Sequence, residues 1–242
     1  MTKEGLPFLY FKGINSLDLC LLIKSKQSYD APARDKTLKS VPGRNGDLII
    51  DNGRYKNIQI KYTLSILRQG NITFEDLVDK IKDWLLVDNG YDVLWDSYDP
   101  RYYRIATVTS GFTLSKELKD VGEFGITFNC KPMRYAYDGQ GKISLPSSGG
   151  SIYNPYSYNS APYMKIYGSG NISVHINNQT ININNVDEYI EIDSETMLAH
   201  KGLTSKNNDM SGVFPVFVPG ENAIEFTGTV TGADIVPRWC RL

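Results

Sequence analysis

Lys56-Asn57-Ile58-Gln59-Ile60-Lys61-Tyr62-Thr63-Leu64-Ser65-Ile66-Leu67 decides the fold class. Ile58, Ile60, Tyr62, Leu64 and Ile66 point one way, and Gln59, Lys61, Thr63 and Ser65 the other. A side-chain period of two over such a length is a half-buried β-strand, and a long one. Val93–Trp95, Tyr102–Val108 and Phe124–Phe128 also read as strands, with Asp99-Pro100 as a hairpin turn. Between them lies one helix. Phe74, Leu77, Val78, Ile81, Trp84 and Leu85 recur at helical spacing. Thr73 is its N-cap, and Asp76 stands three residues on, as in a capping box. Ile72 and Leu77 suit a hydrophobic staple, and Asp88-Asn89-Gly90 ends the helix. The helix lays its apolar stripe on a sheet.

The second half reads as all-β. Short alternating runs are Met164–Tyr167, Ile172–Ile176, Thr180–Ile183, Tyr189–Ile192, Met197–His200, Val213–Val218, Ala223–Phe226 and Ala233–Val236. Gly168-Ser169-Gly170, Asn177-Asn178, Asn184-Asn185, Pro219-Gly220-Glu221-Asn222 and Gly228 punctuate them. Such density of short strands suggests a β-sandwich or jelly roll. Asn177–Asn185 reads as a hairpin, with Ile176, Ile181 and Ile183 inward. The class is therefore mainly β with one principal helix.

Gly139-Gln140-Gly141 and Pro146 to Ser151 are turn-prone and read as a flexible connection. Charge changes there too. Through Tyr137 there are 20 Lys+Arg against 17 Asp+Glu, net +3; from Asp138 there are 6 against 10, net −4. Two domains follow, 1–140 and 141–242. The whole chain, 242 residues at net charge −1, shows no global field for a nucleic acid or an anionic membrane. No apolar run spans a bilayer, and Met1-Thr2-Lys3-Glu4-Gly5 lacks the apolar core of a signal peptide. Cys20, Cys130 and Cys240 are too far apart for zinc-ligand or redox spacing. An odd count fits synthesis in a reducing compartment, and the three read as small buried hydrophobes.

No catalytic constellation emerges. The only histidines, His175 and His200, fall inside expected strands and near no nucleophile elbow. Asp187, Glu188, Glu191, Asp193 and Glu195 form the one acidic cluster. Alternation puts Glu191, Asp193 and Glu195 on one face, which reads as a solvated strand face rather than a calcium site. No catalytic, metal or cofactor residue is assigned. Val41-Pro42-Gly43-Arg44-Asn45-Gly46-Asp47 is no phosphate loop, because no Gly-Lys-Ser/Thr follows. It is a tight turn before a strand at Leu48–Ile50, with Pro42 presetting φ. Arg44 and Asn45 at its tip are candidates for a subunit contact, the alternative being an exposed solubilising arginine. Tyr153, Tyr156 and Tyr158 are candidates for glycan or partner contact, although such tyrosines more often cover a sandwich edge.

An ordered set of motifs adds a resemblance. Phe11-Lys12-Gly13-Ile14-Asn15-Ser16 precedes an apolar strand; Val41–Leu48 and the long alternating strand follow, then the helix ending in Trp84-Leu85. Tyr98-Asp99-Pro100-Arg101-Tyr102-Tyr103 and Phe128-Asn129-Cys130-Lys131-Pro132 come next. Tyr189–Asp193, Phe214-Pro215, Pro219–Asn222 and Pro237-Arg238-Trp239 complete the set. In this order they resemble the distal tail proteins of long non-contractile-tailed bacteriophages, over nearly the whole chain. The resemblance implies an N-terminal β-sandwich with a helix and an extended hairpin, and a C-terminal galectin-like sandwich. It implies a homohexameric ring at the tail tip, around a channel for DNA. Its expected partners are the tail tube protein, the tail-tip or tail-associated lysin protein, and in some phages receptor-binding proteins. Assembly in the host cytoplasm, without export or membrane insertion, is expected. A carbohydrate-binding adhesin acting through the second domain is the alternative.

Overall fold

The computed structural model describes residues 5–27, 31–67, 72–88, 90–113, 115–118 and 121–242. Met1–Glu4 and Asn89, on which two of the readings above fall, lie outside them. The chain divides into two compact units, Met1–Arg134 with Leu242, and Tyr135–Arg241.

In the first unit the strands are β1 (Leu9–Phe11), β2 (Ile14–Asn15), β3 (Leu21–Gln27), β4 (Arg34–Lys39), β5 (Leu48–Tyr55) and β6 (Ile58–Leu67). The helix α1 (Phe74–Leu86) follows, then β7 (Asp92–Asp96), β8 (Tyr102–Val108), β9 (Ser115–Leu118) and β10 (Val121–Ala136). The main sheet runs β2-β1-β7-β8-β10-β6-β3, with β9 also beside β10. The deciding stretch is thus β6, held between β10 and β3. Its inward residues meet those of β10 directly: Ile60 opposite Phe128, Tyr62 opposite Ile126, Leu64 opposite Phe124. All six are buried, each contributing roughly 1.5–3 kcal/mol by burial. At the far end of the order, Ile23 N–H donates to the Pro7 carbonyl at 2.9 Å. That bond ties β3 back to the segment just before β1, so the sheet curls around its core.

Helix α1 closes that core. The Thr73 hydroxyl accepts from the Asp76 N–H at 3.1 Å, as the cap required. Phe74, Leu77, Ile81, Trp84 and Leu85 are buried, and Ile72 and Val78 pack beside them. Trp84 Nε1 donates to the Phe11 carbonyl at 2.8 Å, fixing the helix to β1. The expected Asp99-Pro100 turn joins β7 to β8, and Tyr102 N–H reaches the Asp99 carbonyl at 3.1 Å.

The second unit contains β11 (Ile143–Pro146), β12 (Gly150–Asn154), β13 (Tyr163–Ile176), β14 (Gln179–Val186), β15 (Tyr189–Asp193), β16 (Leu198–Lys201), β17 (Thr204–Ser205), β18 (Met210–Gly212), β19 (Gly220–Val236) and β20 (Cys240–Arg241). Two long strands organise it. Near one end, β13 and β19 pair Tyr163 with Val236, alongside β11 and β15. Near the other they pair Ile176 with Ile224, alongside β12 and β14. Register shifts between these ends mark where both strands bend.

Several expectations change here. Met164–Tyr167 and Ile172–Ile176 are one strand, as are Ala223–Phe226 and Ala233–Val236. The intervening glycines serve bends rather than turns. A Cβ on Gly168 would stand 2.3 Å from the Thr229 carbonyl oxygen, so the bend needs glycine for close backbone approach. The connection read as flexible instead holds β11 and β12, both paired to β19. Val213–Val218 forms no strand; Phe217 alone makes a bridge, to Ser160, and Pro215 has no N–H to offer a ladder. The Asn177–Asn178 turn and the burial of Ile176, Ile181 and Ile183 follow the reading.

Gly228 sits at the bend with φ +90°, and a Cβ there would meet the Asn171 oxygen at 2.4 Å. Gly170 has φ +73° but open space around it. Gly228→Ala is therefore expected to cost about 2 kcal/mol or more, and Gly170→Ala about 1 kcal/mol. Thermal melts of the two variants check the order; equal losses would contradict the bend geometry.

Candidate assembly surface

Strands β4 and β5 form a two-stranded sheet that pairs with no other strand among the described residues. Lys56 N–H donates to the Ala33 carbonyl at 2.9 Å and closes its base. The turn Val41–Asp47 closes its tip: Arg44 N–H reaches the Val41 carbonyl at 3.1 Å. Gly43 and Gly46 have φ of +80° and +85°, which the glycines supply at no steric cost. Along the arm, Arg34 pairs with Asp51 at 3.0 Å and Arg54 with Asp35 at 2.7 Å. The Arg54 hydrogen bond holds the Asp35 carboxyl below its ordinary value. The Gly53 N–H, followed by Arg34, does the same for Asp51.

The arm has no core. Leu38 is 62% exposed, Ile49 60%, Ile50 44% and Leu48 41%. An isolated two-stranded hairpin is marginally stable in water, and clustered exposed apolar side chains mark a contact surface. The sequence reading found the turn and the start of β5. It missed β4, because Arg34–Lys39 mixes charge with a single large apolar residue, Leu38.

Arg44 and Asn45 stand exposed at the tip. Arg44 has no ion pair among the described residues. Tyr153 lies on β12 and is 68% exposed. Tyr156 is half-buried, and its hydroxyl donates to the Asp138 carboxylate at 2.9 Å. Tyr158 is half-buried, and its carbonyl accepts from Asn154 Nδ2 at 3.0 Å. Tyr153 is thus the most open of the three.

The acidic cluster differs from its reading as a solvated face. Arg238 binds both oxygens of Asp193, at 2.7 and 3.0 Å. The Tyr163 hydroxyl donates to Glu191 at 2.5 Å, and the Tyr135 hydroxyl to Glu195 at 2.9 Å. Lys201 holds Asp187 and Glu188. The alternation is right, but the carboxylates are spent on internal partners the sequence could not place beside them. Among the described residues, no group of three or more His, Cys, Asp or Glu could hold a metal ion. His175 contacts Thr180, and His200 faces the Gly202 carbonyl and Glu191. The three cysteines are free; burial pushes the Cys130 thiol up to about 12 and the Cys240 thiol up to about 11.

Burial raises the Asp193 carboxyl, but Arg238 and the Thr196 and Glu195 N–H groups outweigh it and leave the value depressed. A carboxyl depressed in the folded chain stabilises fully above its ordinary value of 3.8, and that contribution is lost as the pH falls through the folded value. Arg238→Ala is expected to cost about 2 kcal/mol at neutral pH. Once the pH has fallen through that depressed value and Asp193 protonates, the melts of variant and wild type converge. A gap that persists in acid would show that the loss is one of packing.

Residues 18–130 match the family of phage tail protein RIFT-related domains. No curated protein matches the sequence. The Dit protein (gp 19.1) of phage SPP1, described as a paradigm of the hub adsorption apparatus in phages infecting Gram-positive hosts, shares the fold with a TM-score of 0.71 at 10% identity. That match covers 98% of this chain and 100% of the other. A chain of the phage p2 baseplate in its strontium-bound activated conformation matches with a TM-score of 0.55 at 11% identity, over 96% and 97% of the two chains. The calcium-bound baseplate gives the same score and identity over 95% and 97%. The resemblance read from the sequence is borne out: residues 18–130 match the phage tail protein RIFT-related domain, and the chain shares its fold with the Dit protein of phage SPP1.

Proposed function

We propose that this chain is a structural component of the tip of a long non-contractile phage tail. It closes into a homohexameric ring that joins the tail tube to the host-adsorption apparatus, with DNA passing through the channel. The observation that carries this is the β4–β5 arm, an apolar surface left exposed among the described residues. Rings use heterologous contacts, in which one patch meets a different patch on the neighbour. A projecting arm is suited to that geometry. The fold shared with SPP1 Dit supports the same reading.

The ring's neighbours would be the tube protein on one side and the tail-tip or tail-associated lysin protein on the other, with receptor-binding proteins as further partners. No helix among the described residues is long and apolar enough to cross a membrane. The role is mechanical, and none of its steps needs a reaction. The adhesin alternative rests on Tyr153, since the Tyr156 hydroxyl is already engaged.

Mass photometry of the purified chain is expected to show a species of six times 27.2 kDa. Replacing residues 36–53 by a short Gly-Ser turn should leave a folded monomer, with a melting temperature near that of the wild type, because the arm holds none of the buried core. A hexamer formed by the armless chain would overturn the assignment of the contact.

A further inference from the structure

The sequence holds three Asn-Gly pairs, Asn45-Gly46, Asn52-Gly53 and Asn89-Gly90. In such a pair the glycine nitrogen can attack the asparagine side-chain carbonyl, because glycine has no Cβ to obstruct the approach. Asn89 lies outside the described residues, and Gly90 N–H donates to the Asp88 carboxylate at 3.0 Å. The other two pairs share the arm and make a matched comparison. Both are exposed. Gly46 has φ +85° and Gly53 φ +73°, and a Cβ on either would meet nothing within 4 Å. They differ in what holds them. Gly53 N–H donates to Asp51 Oδ1 at 2.9 Å, and Asn52 Nδ2 donates to Thr37 Oγ1 at 3.3 Å. Neither the Gly46 N–H nor the Asn45 side chain makes a hydrogen bond among the described residues. The preceding charge differs as well: Asp51 stands before one pair and Arg44 before the other.

We propose that Asn45-Gly46 is a site of spontaneous modification, where the tip of the arm loses ammonia through a cyclic imide and becomes aspartate or isoaspartate. Water or hydroxide first takes the Gly46 amide proton. The nitrogen then attacks Asn45 Cγ. A bond forms between Gly46 N and Cγ, the Cγ–Nδ2 bond breaks, and Nδ2 leaves as ammonia with a proton from water. Water next opens the ring. Hydrolysis at Cγ returns the ordinary backbone with a carboxylate on the side chain. Hydrolysis at the backbone carbonyl routes the chain through Cγ and lengthens the turn by one methylene. Nothing is oxidised or reduced, and water is the only co-reactant. The first stage creates an anion on nitrogen. A carboxylate bonded to the N–H, as at Gly53, opposes that anion, and a neighbouring cation such as Arg44 favours it. The product changes the charge of the arm. Residues 34–55 carry five basic and three acidic side chains, net +2. Modification makes that five against four, net +1, with the new carboxylate between Arg44 and Asp47 in the chain. This inference stands apart from the ring reading.

The test incubates the full chain in mildly alkaline buffer and digests samples in mild acid, where cyclisation is slow. Mass spectrometry of the peptides follows each asparagine, and isoaspartyl methyltransferase labelling scores isoaspartate. Asn45 is expected to convert roughly tenfold or more faster than Asn52, giving both products at that position. Asn45→Gln should remove the tip signal, and Asp51→Ala, which frees the Gly53 N–H, should raise conversion of Asn52 toward the rate of Asn45. Thermal melts like that of the wild type confirm that the units of both variants stay folded. An Asn45 that stays intact, or that converts no faster than Asn52, overturns the proposal whether the chain is a monomer or a hexamer. An Asn52 rate unmoved by Asp51→Ala overturns the protection assigned to that carboxylate.

Discussion

The β6–β10 ladder is the constraint on which the first unit depends. Ten successive Cα pairs join the two strands, from Ile58 opposite Cys130 to Leu67 opposite Val121. Their inward residues supply the aromatic centre: Phe128 stands edge-on to both Phe11 and Tyr62, with ring centroids 5.0 and 5.7 Å away. A slip of one residue would send every one of these side chains to the outer face. The ladder also fixes the root of the arm. Only Lys56 and Asn57 separate β5 from β6, so the register that buries Ile60 and Tyr62 also sets where the arm leaves the unit. The Tyr62 hydroxyl reinforces this from inside, donating to Asp96 at 2.6 Å, while Lys26 pairs with the same carboxylate at 2.7 Å. A buried carboxylate is tolerated there because its oxygens are satisfied.

The second unit solves its packing differently. Instead of many short strands, two long ones bend so that each contributes to both ends of the pairing pattern. Bending a ladder brings backbone against backbone, and glycine is the residue that permits it. Gly168 and Gly228 stand where the register shifts, each within a methyl group's distance of a carbonyl oxygen. The same residues that read as breaks between strands in the sequence are what allow the strands to continue.

That difference explains which parts were legible. A period of two over β6, and of 3.6 over α1 with Thr73 as cap, depends only on near neighbours in sequence, and both elements formed where they were read. The inward set of β6 was right residue by residue. Strand count in the second half was not, because a glycine in a turn and a glycine in a bend have the same local signature and differ only in what lies across from them. The pairing of β11 and β12 to β19 was hidden for a similar reason, since their partners lie about 70 or more residues away. The assembly surface was half visible. The turn at Val41–Asp47 announced itself through Pro42, Gly43 and Gly46, and Arg44 was placed at its tip. That the flanking strands would stand apart from both larger sheets is a fact of topology, and no local pattern encodes it.

Charge completes the picture of where contacts are made. The second half carries four more acidic than basic residues, yet it presents little of this as an available field. Asp187 and Glu188 are held by Lys201, Asp193 by Arg238, Asp209 by Lys206 and Asp234 by Lys142. The more exposed of these pairs, such as Lys201 with Asp187 and Glu188, contribute little stability, but all of them remove the charges from outside use. On the arm the paired charges are Arg34, Asp35, Asp51 and Arg54, along its length, while the tip keeps Arg44 open. Net charge by domain is thus a poor guide to partners in this chain. Arg44, exposed at the end of the apolar arm, has no ion pair among the described residues.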